Sequence, residues 1–282
     1  MSEVLDLLAV DVGTSRVKFG WFPGEVICAT EPPESLLPIA APKLAEPAET
    51  FSCQHRGVPV GEFNAQITEW LSQCEDRRPQ VALASVNPAA AGVVEKLFSQ
   101  LSYPAVRVLT GSDLPIVLQV KEPQRVGIDR LLNAVAVNRI RKTEQPAIVM
   151  DLGTAVTVDL IGSNGDFLGG AILPGWSLSA SALHGAASSL PLLSPDNLQL
   201  PEHGLGKCTT EAMAAGLTWG LVGALEKLIA MYSEFSHSKP QLFLTGGNAP
   251  LLLESLNESV GPVRHVSHLV LAGIALACEG SR

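Results

Sequence analysis

The chain has 282 residues, 46% apolar and 17% charged, with a formal net charge of -9. That balance supplies real cores for one large domain or two ordinary ones and excludes a disordered chain, while the acidity excludes broad nucleic-acid binding, which needs a basic face. Five cysteines (Cys28, Cys53, Cys74, Cys208, Cys278), an odd number with no C-x-x-C, suit reduced thiols in a cytosol better than a disulfide framework or a zinc site.

The opening "MSEVLDLLAVDVG" has acidic residues where a signal peptide needs positive charge, and "LVLAGIALAC" at 269–278 is far shorter than a membrane span. A soluble, cytoplasmic protein with no membrane partner is expected. Residues 4–10 read as a buried strand ending at Asp11, and "RVKFGWF" at 16–22 as its hairpin partner across a turn at Gly13–Ser15. The Pro/Glu/Ala-rich stretch 23–60 gives only weak edge-strand patterns. A helix over 63–74, a strand "QVALASVNP" stopped by Pro88, a helix "AAGVVEKLFSQL" and a helix over 127–142 follow. After the polar linker "KTEQP", the phrase recurs: "AIVMDLG" is a strand running into Asp and Gly, "VTVDLIG" its partner and "FLGGAILPG" a third strand, with "SNGD" as the turn between the last two. Helices over 176–191 and 208–235, a strand "PQLFLTGGNAP" and a last apolar helix at 267–278 complete the chain. The pattern predicts a mixed α/β fold of two related lobes, 1–143 and 144–282.

The repeated phrase has a chemical use. Asp11-Val12-Gly13-Thr14 and Asp151-Leu152-Gly153-Thr154 stand half a chain apart. Glycine in such a turn lets backbone N–H groups approach an anion, and Thr14, Ser15, Thr154 and Thr157 add hydroxyls. Asp11 and Asp151 suit a divalent ion held directly or through water, as magnesium is, and Lys18 places a point charge on phosphates. "GLGKCT" at 204–209 is not a P-loop: the upstream glycine is missing, and Cys208 stands where Ser or Thr is required. "GIDRLLNAVA" at 127–136 puts a base beside an anion-binder at a helix start. Asp129 can accept a hydroxyl proton while Arg130 pairs a carboxylate.

The two hairpin phrases, with Thr245-Gly246-Gly247 after a strand, resemble the actin-like, sugar-kinase and Hsp70 ATPase superfamily. That resemblance implies two actin-like (ribonuclease H-like) α/β lobes, their mixed sheets flanked by helices, with ATP in the cleft between them. Adenosine would lie against Gly246 and Gly247. Within the superfamily the chain resembles the type III pantothenate kinases along nearly its whole length. The family's D-x-G-N-T-x-x-K, G-x-D-R, D-x-G-T-A-x-T-x-D and T-G-G motifs appear in order as Asp11–Lys18, Gly127–Arg130, Asp151–Asp159 and Thr245–Gly247. Thr14-Ser15 replace the family's Asn-Thr, and no aromatic precedes Gly127 in "LQVKEPQRV".

The resemblance implies ATP-dependent phosphorylation of pantothenate to 4'-phosphopantothenate, the first step toward coenzyme A, with Asp129 as base. ATP would be bound by Asp11, Val12, Gly13, Thr14, Ser15, Arg16, Val17, Lys18, Thr154, Gly246 and Gly247. Pantothenate would meet Gly127, Ile128, Asp129, Arg130 and His184, with Thr209 contributed at a homodimer interface. Magnesium would accompany ATP at Asp11, and a monovalent cation, potassium or ammonium, would sit at Asp151. Two alternatives are a non-catalytic regulatory relative, akin to transcription accessory factors, and another small-molecule kinase of the superfamily. His265 and His268, three residues apart, are expected to share a helix face without completing a ligand set.

Overall fold

The computed structural model describes residues 5–24, 43–73, 79–195 and 200–279. Cys28, Cys74 and residues 25–42 of the Pro/Glu/Ala-rich stretch lie outside the described residues. Two compact units emerge, one of residues 1–117, 121–140 and 268–282, the other of 118–120 and 141–267.

The first unit is built on β1 (Leu7–Val12), β2 (Arg16–Phe22), β3 (Glu49–Gln54), β4 (Gln80–Ser85) and β5 (Arg107–Val108), in the order β3-β2-β1-β4-β5. β1 pairs antiparallel with β2 and parallel with β4. Strand alternation sends Leu8, Val10, Val12, Val17, Phe19 and Trp21 to one face. There they form a core with Phe63, Ile67 and Trp70 of α1 (Val60–Ser72) and Val94 and Phe98 of α2 (Pro88–Gln100). Asn87 caps α2 by accepting the Ala90 amide, and Pro88 stands at the first turn, where a missing N–H costs nothing. The opposite face belongs to α3 (Ile128–Ile140) and the C-terminal α7 (Leu269–Glu279).

The second unit repeats the plan with β6 (Ala147–Leu152), β7 (Ala155–Ile161), β8 (Phe167–Pro174), β9 (Gln241–Thr245) and β10 (Val263–His265). Its order, β10-β9-β6-β7-β8, is the first sheet's order read from the other edge. β6 is antiparallel to β7 and parallel to β9, as β1 is to β2 and β4. α4 (Trp176–Ala186), α5 (Thr209–Phe235) and α6 (Ala249–Val260) complete it. Ile148, Met150, Val156 and Val158 pack with Val222, Leu225 and Ile229 of α5 and Leu252 and Leu256 of α6. Among the described residues α5 is the helix long and apolar enough to cross a membrane by length and composition. Its inward side is committed to this core, so it is the core helix of a folded unit.

Several expectations change. α6, β5 and β10 were not read from the sequence. The helix expected to run through 191 stops at Ala186. His265 lies on β10 and His268 precedes α7 with φ +57°, so they share no helix face. A division at 143/144 places α7 in the second lobe, yet it belongs to the first unit. The reason is its composition. Nine of its eleven residues are buried, and a helix apolar all round needs cover on every side; α3 and the first sheet supply it.

Candidate functional site

In the first unit β1 turns through Gly13–Arg16 into β2. The register from Leu7↔Phe22 to Val12↔Val17 puts Asp11 opposite Lys18. Because Val10 and Val12 enter the core, Asp11 projects on the other face, where it is buried at 6% exposure. Lys18 shares that face, its Nζ 3.9 Å from Asp11 Oδ2. The Gly13 amide donates to the Arg16 carbonyl at 3.0 Å, and Thr14 at the tip is exposed. The Arg16 guanidinium runs along β3, its Nε donating to Ser52 Oγ at 3.0 Å. Lys18 also makes itself felt nearby: burial first, then its charge, holds the His268 imidazole below its ordinary pKa.

Just past the end of β4, the parallel neighbour of β1, the amide of Val86 donates to the Val12 carbonyl at 3.1 Å. Val86 lies beside Gly127, where an added Cβ would stand 3.7 Å from its Cγ1. Gly127 opens α3, its carbonyl accepting from the amides of Arg130 at 3.1 Å and Leu131 at 3.4 Å. Asp129 Oδ1 accepts the Arg130 amide at 2.8 Å. A Cβ at Gly127 would sit only 2.6 Å from that oxygen, so glycine is what lets the carboxylate fold over the helix start. Ile128 is buried beneath, while Asp129 and Arg130 are half-buried. Asp11 and Asp129 thus lie at the same end of one sheet, linked through Val12, Val86 and Gly127.

In the second unit Asp151 on β6 has Thr157 of β7 and Thr245 of β9 as its cross-strand partners. Partners in register share a face, so one carboxylate is flanked by two hydroxyls, with Asp159 further along β7 on the same face and buried. The turn is tighter than in the first unit: the Gly153 amide reaches the Ala155 carbonyl at 3.2 Å, and the Gly175 amide holds the Thr154 carbonyl at 3.0 Å. Gly246 has φ +96°, and a Cβ there would meet the Leu152 amide nitrogen at 2.5 Å and Asp151 Oδ1 at 2.6 Å. The Asn248 amide donates to the Leu152 carbonyl at 3.1 Å. The Thr-Gly-Gly turn is therefore seated on the end of β6, with Gly246 against Asp151 and Leu152 and Gly247 exposed beside it. His184 on α4 and Thr209 at the start of α5 are exposed and lie on the helices after the hairpin, not in it; His184 Nδ1 is 2.7 Å from the Leu190 carbonyl.

His55, Gly175 and Asn248 were not singled out from the sequence as site residues. The signal for the first two is positional: each directly follows the third strand of its sheet. Among the described residues no three His, Cys, Asp or Glu side chains cluster as a metal cage. Single carboxylates beside hydroxyls and turn amides suit an ion that keeps much of its water and shares phosphate oxygens, as magnesium does.

The type III pantothenate kinase family model matches residues 7–231. The type III pantothenate kinase of Rhodopirellula baltica is 32% identical over 274 residues, covering 93% of this chain and 95% of that protein. That of Rhodospirillum rubrum is 38% identical over 251 residues, covering 88% and 90%. A match to the Paramagnetospirillum magneticum enzyme is more local: 41% identity over 145 residues, 51% of this chain and 54% of that protein. Among solved structures, ethanolamine utilization protein EutJ from Carboxydothermus hydrogenoformans aligns with TM-score 0.54 at 11% identity, covering 96% of this chain and 88% of that one. That likeness is of fold alone, the actin-like architecture. Two sheets of one plan, each ending its central strand in an Asp-x-Gly hairpin, and a family match over most of the length lead to one conclusion: the chain belongs to the type III pantothenate kinase family, kinases that phosphorylate pantothenate with ATP in coenzyme A biosynthesis.

Proposed function

We propose that this chain transfers the γ-phosphoryl group of ATP to the primary hydroxyl of pantothenate, with Asp129 as general base. The observation that carries the reading is the position of Asp129: at the first turn of α3, at the end of the sheet where Asp11 and the first hairpin lie. The Asp129 carboxylate takes the hydroxyl proton as the oxygen attacks phosphorus, and Arg130 pairs the pantothenate carboxylate. Gly13, Thr14 and Ser15 of the first hairpin and Thr154 of the second are the residues this reading assigns to the phosphates. Gly246 and Gly247 lie under adenosine. Positioning and charge stabilisation supply most of the acceleration in such transfers.

Asp11 would hold the magnesium that accompanies ATP. Asp151, flanked by Thr157 and Thr245, holds a monovalent cation, whose oxygen ligands those three side chains fit. Bound there, the cations neutralise phosphate charge. The enzyme works in the cytoplasm as a homodimer. Met231 and Phe235, four residues apart on α5 and at 50% and 67% exposure, supply apolar surface for a second copy, which would bring Thr209 to its partner's pantothenate. His184 completes the pocket.

The test is pantothenate-dependent ADP release with magnesium and potassium, for wild type and Asp129→Asn. Turnover in wild type that falls by about 10²–10⁴-fold in the variant supports the base. A folded wild type without pantothenate-dependent turnover overturns the reading.

A further inference from the structure

The two units hold their hairpin turns from the same place. The first residue after the third strand, His55 in one sheet and Gly175 in the other, donates its amide to a turn carbonyl: His55 to Ser15 at 3.1 Å, Gly175 to Thr154 at 3.0 Å. The Arg56 amide reinforces the first at 3.3 Å. Beyond that backbone bond the two positions diverge. At Gly175 a Cβ would lie 2.4 Å from the Gly153 carbonyl and 2.5 Å from that of Thr154, so the turn closes directly over it. The first turn is one residue longer, Gly13–Arg16 between the Val12↔Val17 pair against Gly153–Ala155 between Leu152↔Val156. The His55 ring reaches across the difference, its Nε2 3.0 Å from the Gly13 carbonyl. Edge-on contact with Phe63, ring centroids 6.1 Å apart, sets the ring's plane.

We propose that His55 is a positioning residue for the first phosphate hairpin, one that fixes the Gly13–Thr14 peptide for ATP. The inference rests on the reading that this hairpin binds nucleotide phosphates. In a trans peptide the carbonyl and the following N–H point in opposite directions. Holding the Gly13 carbonyl toward His55 therefore aims the Thr14 amide away from it, and holding the Ser15 carbonyl does the same for the amide of Arg16. An unheld peptide at a glycine is free to flip, and a flipped Gly13–Thr14 unit would present a carbonyl oxygen where an anion needs a donor. The acceptor is a carbonyl, so Nε2 must carry hydrogen. Any form of the ring that carries hydrogen on Nε2 meets that requirement.

The experiment compares wild type, His55→Phe, which keeps a ring beside Phe63 but has no donor, and His55→Gln, whose side-chain amide restores one. Affinity for a non-hydrolysable ATP analogue with magnesium is measured by calorimetry, beside pantothenate kinetics and thermal melting. Loss of one oriented donor predicts about tenfold weaker analogue binding and a matching rise in KM for ATP in His55→Phe. His55→Gln should recover most of that loss, with KM for pantothenate unchanged in both. Equal analogue affinity in folded wild type and His55→Phe overturns the proposal, as does a His55→Gln variant no better than His55→Phe. Calorimetry needs no acceptor, so an absence of pantothenate turnover in wild type would count against the kinase reading while the binding series still decided the role of His55.

Discussion

Replacing Gly127 with alanine should damage catalysis while leaving the fold intact. The new Cβ would stand 2.6 Å from Asp129 Oδ1, and opening that gap to the 3.4 Å of ordinary contact moves the carboxylate by about 0.8 Å. The obstructed atom ends a side chain, so the fold need not shift. The stability loss is confined to the 2.8 Å bond from the Arg130 amide to Oδ1, about 1 kcal/mol, and that amide keeps its 3.1 Å partner, the Gly127 carbonyl. Misplacing a reacting group by about 1 Å costs on the order of 10²-fold in rate, or about 2.7 kcal/mol of barrier. Steady-state kinetics should show kcat lower by about that factor, with KM for ATP and the melting temperature nearly unchanged. A double-mutant cycle isolates the cause: in the Asp129→Asn background Gly127→Ala should add little, because the group it displaces is already disabled. A kcat within about threefold of wild type in Gly127→Ala, with the fold verified, would refute the argument that Asp129 must sit where this glycine lets it.

Gly246→Ala should strain both backbone and site. A side chain at φ +96° and contacts of 2.5–2.6 Å with Leu152 and Asp151 predict about 2–4 kcal/mol of destabilisation in urea unfolding, together with weakened ATP binding. His268 should shape acid stability. Burial and the Lys18 charge hold its pKa below 6.5, so below that pH the unfolded chain binds the extra proton first. Stability is therefore complete above 6.5 and falls as pH drops toward the depressed value. His268→Asn, which tolerates the left-handed backbone, should flatten that limb in urea midpoints taken between about pH 5 and 7. Thiol labelling near neutral pH should modify exposed Cys208 quickly and spare Cys53, whose thiol burial pushes up to about 11 despite the opposing charge of Arg16. Mass spectrometry of the two peptides reads the difference.

Much of the molecule is written locally. Continuous apolar runs closed by Asp-x-Gly, at Asp11 and Asp151, announce buried strands entering tight turns, because period and turn chemistry are properties of neighbouring residues. That was enough for the paired hairpins, the Asp129 helix start and the order of the motifs. β5 and β10 were missed because two- and three-residue strands exist only through a neighbour's hydrogen bonds. α6 was hidden behind Asn248 and Pro250, read as the end of a strand rather than the start of a helix. Only the tertiary structure placed α7 on the first sheet, since a helix apolar on every side does not name its partners in advance. Only it joined the amide of Val86 to Val12, seated Gly246 on Asp151, and brought His55, some forty residues downstream, onto the carbonyl of Gly13. Strand pairing is non-local: its register selects which distant side chains meet, and no window of sequence contains both ends of such a contact.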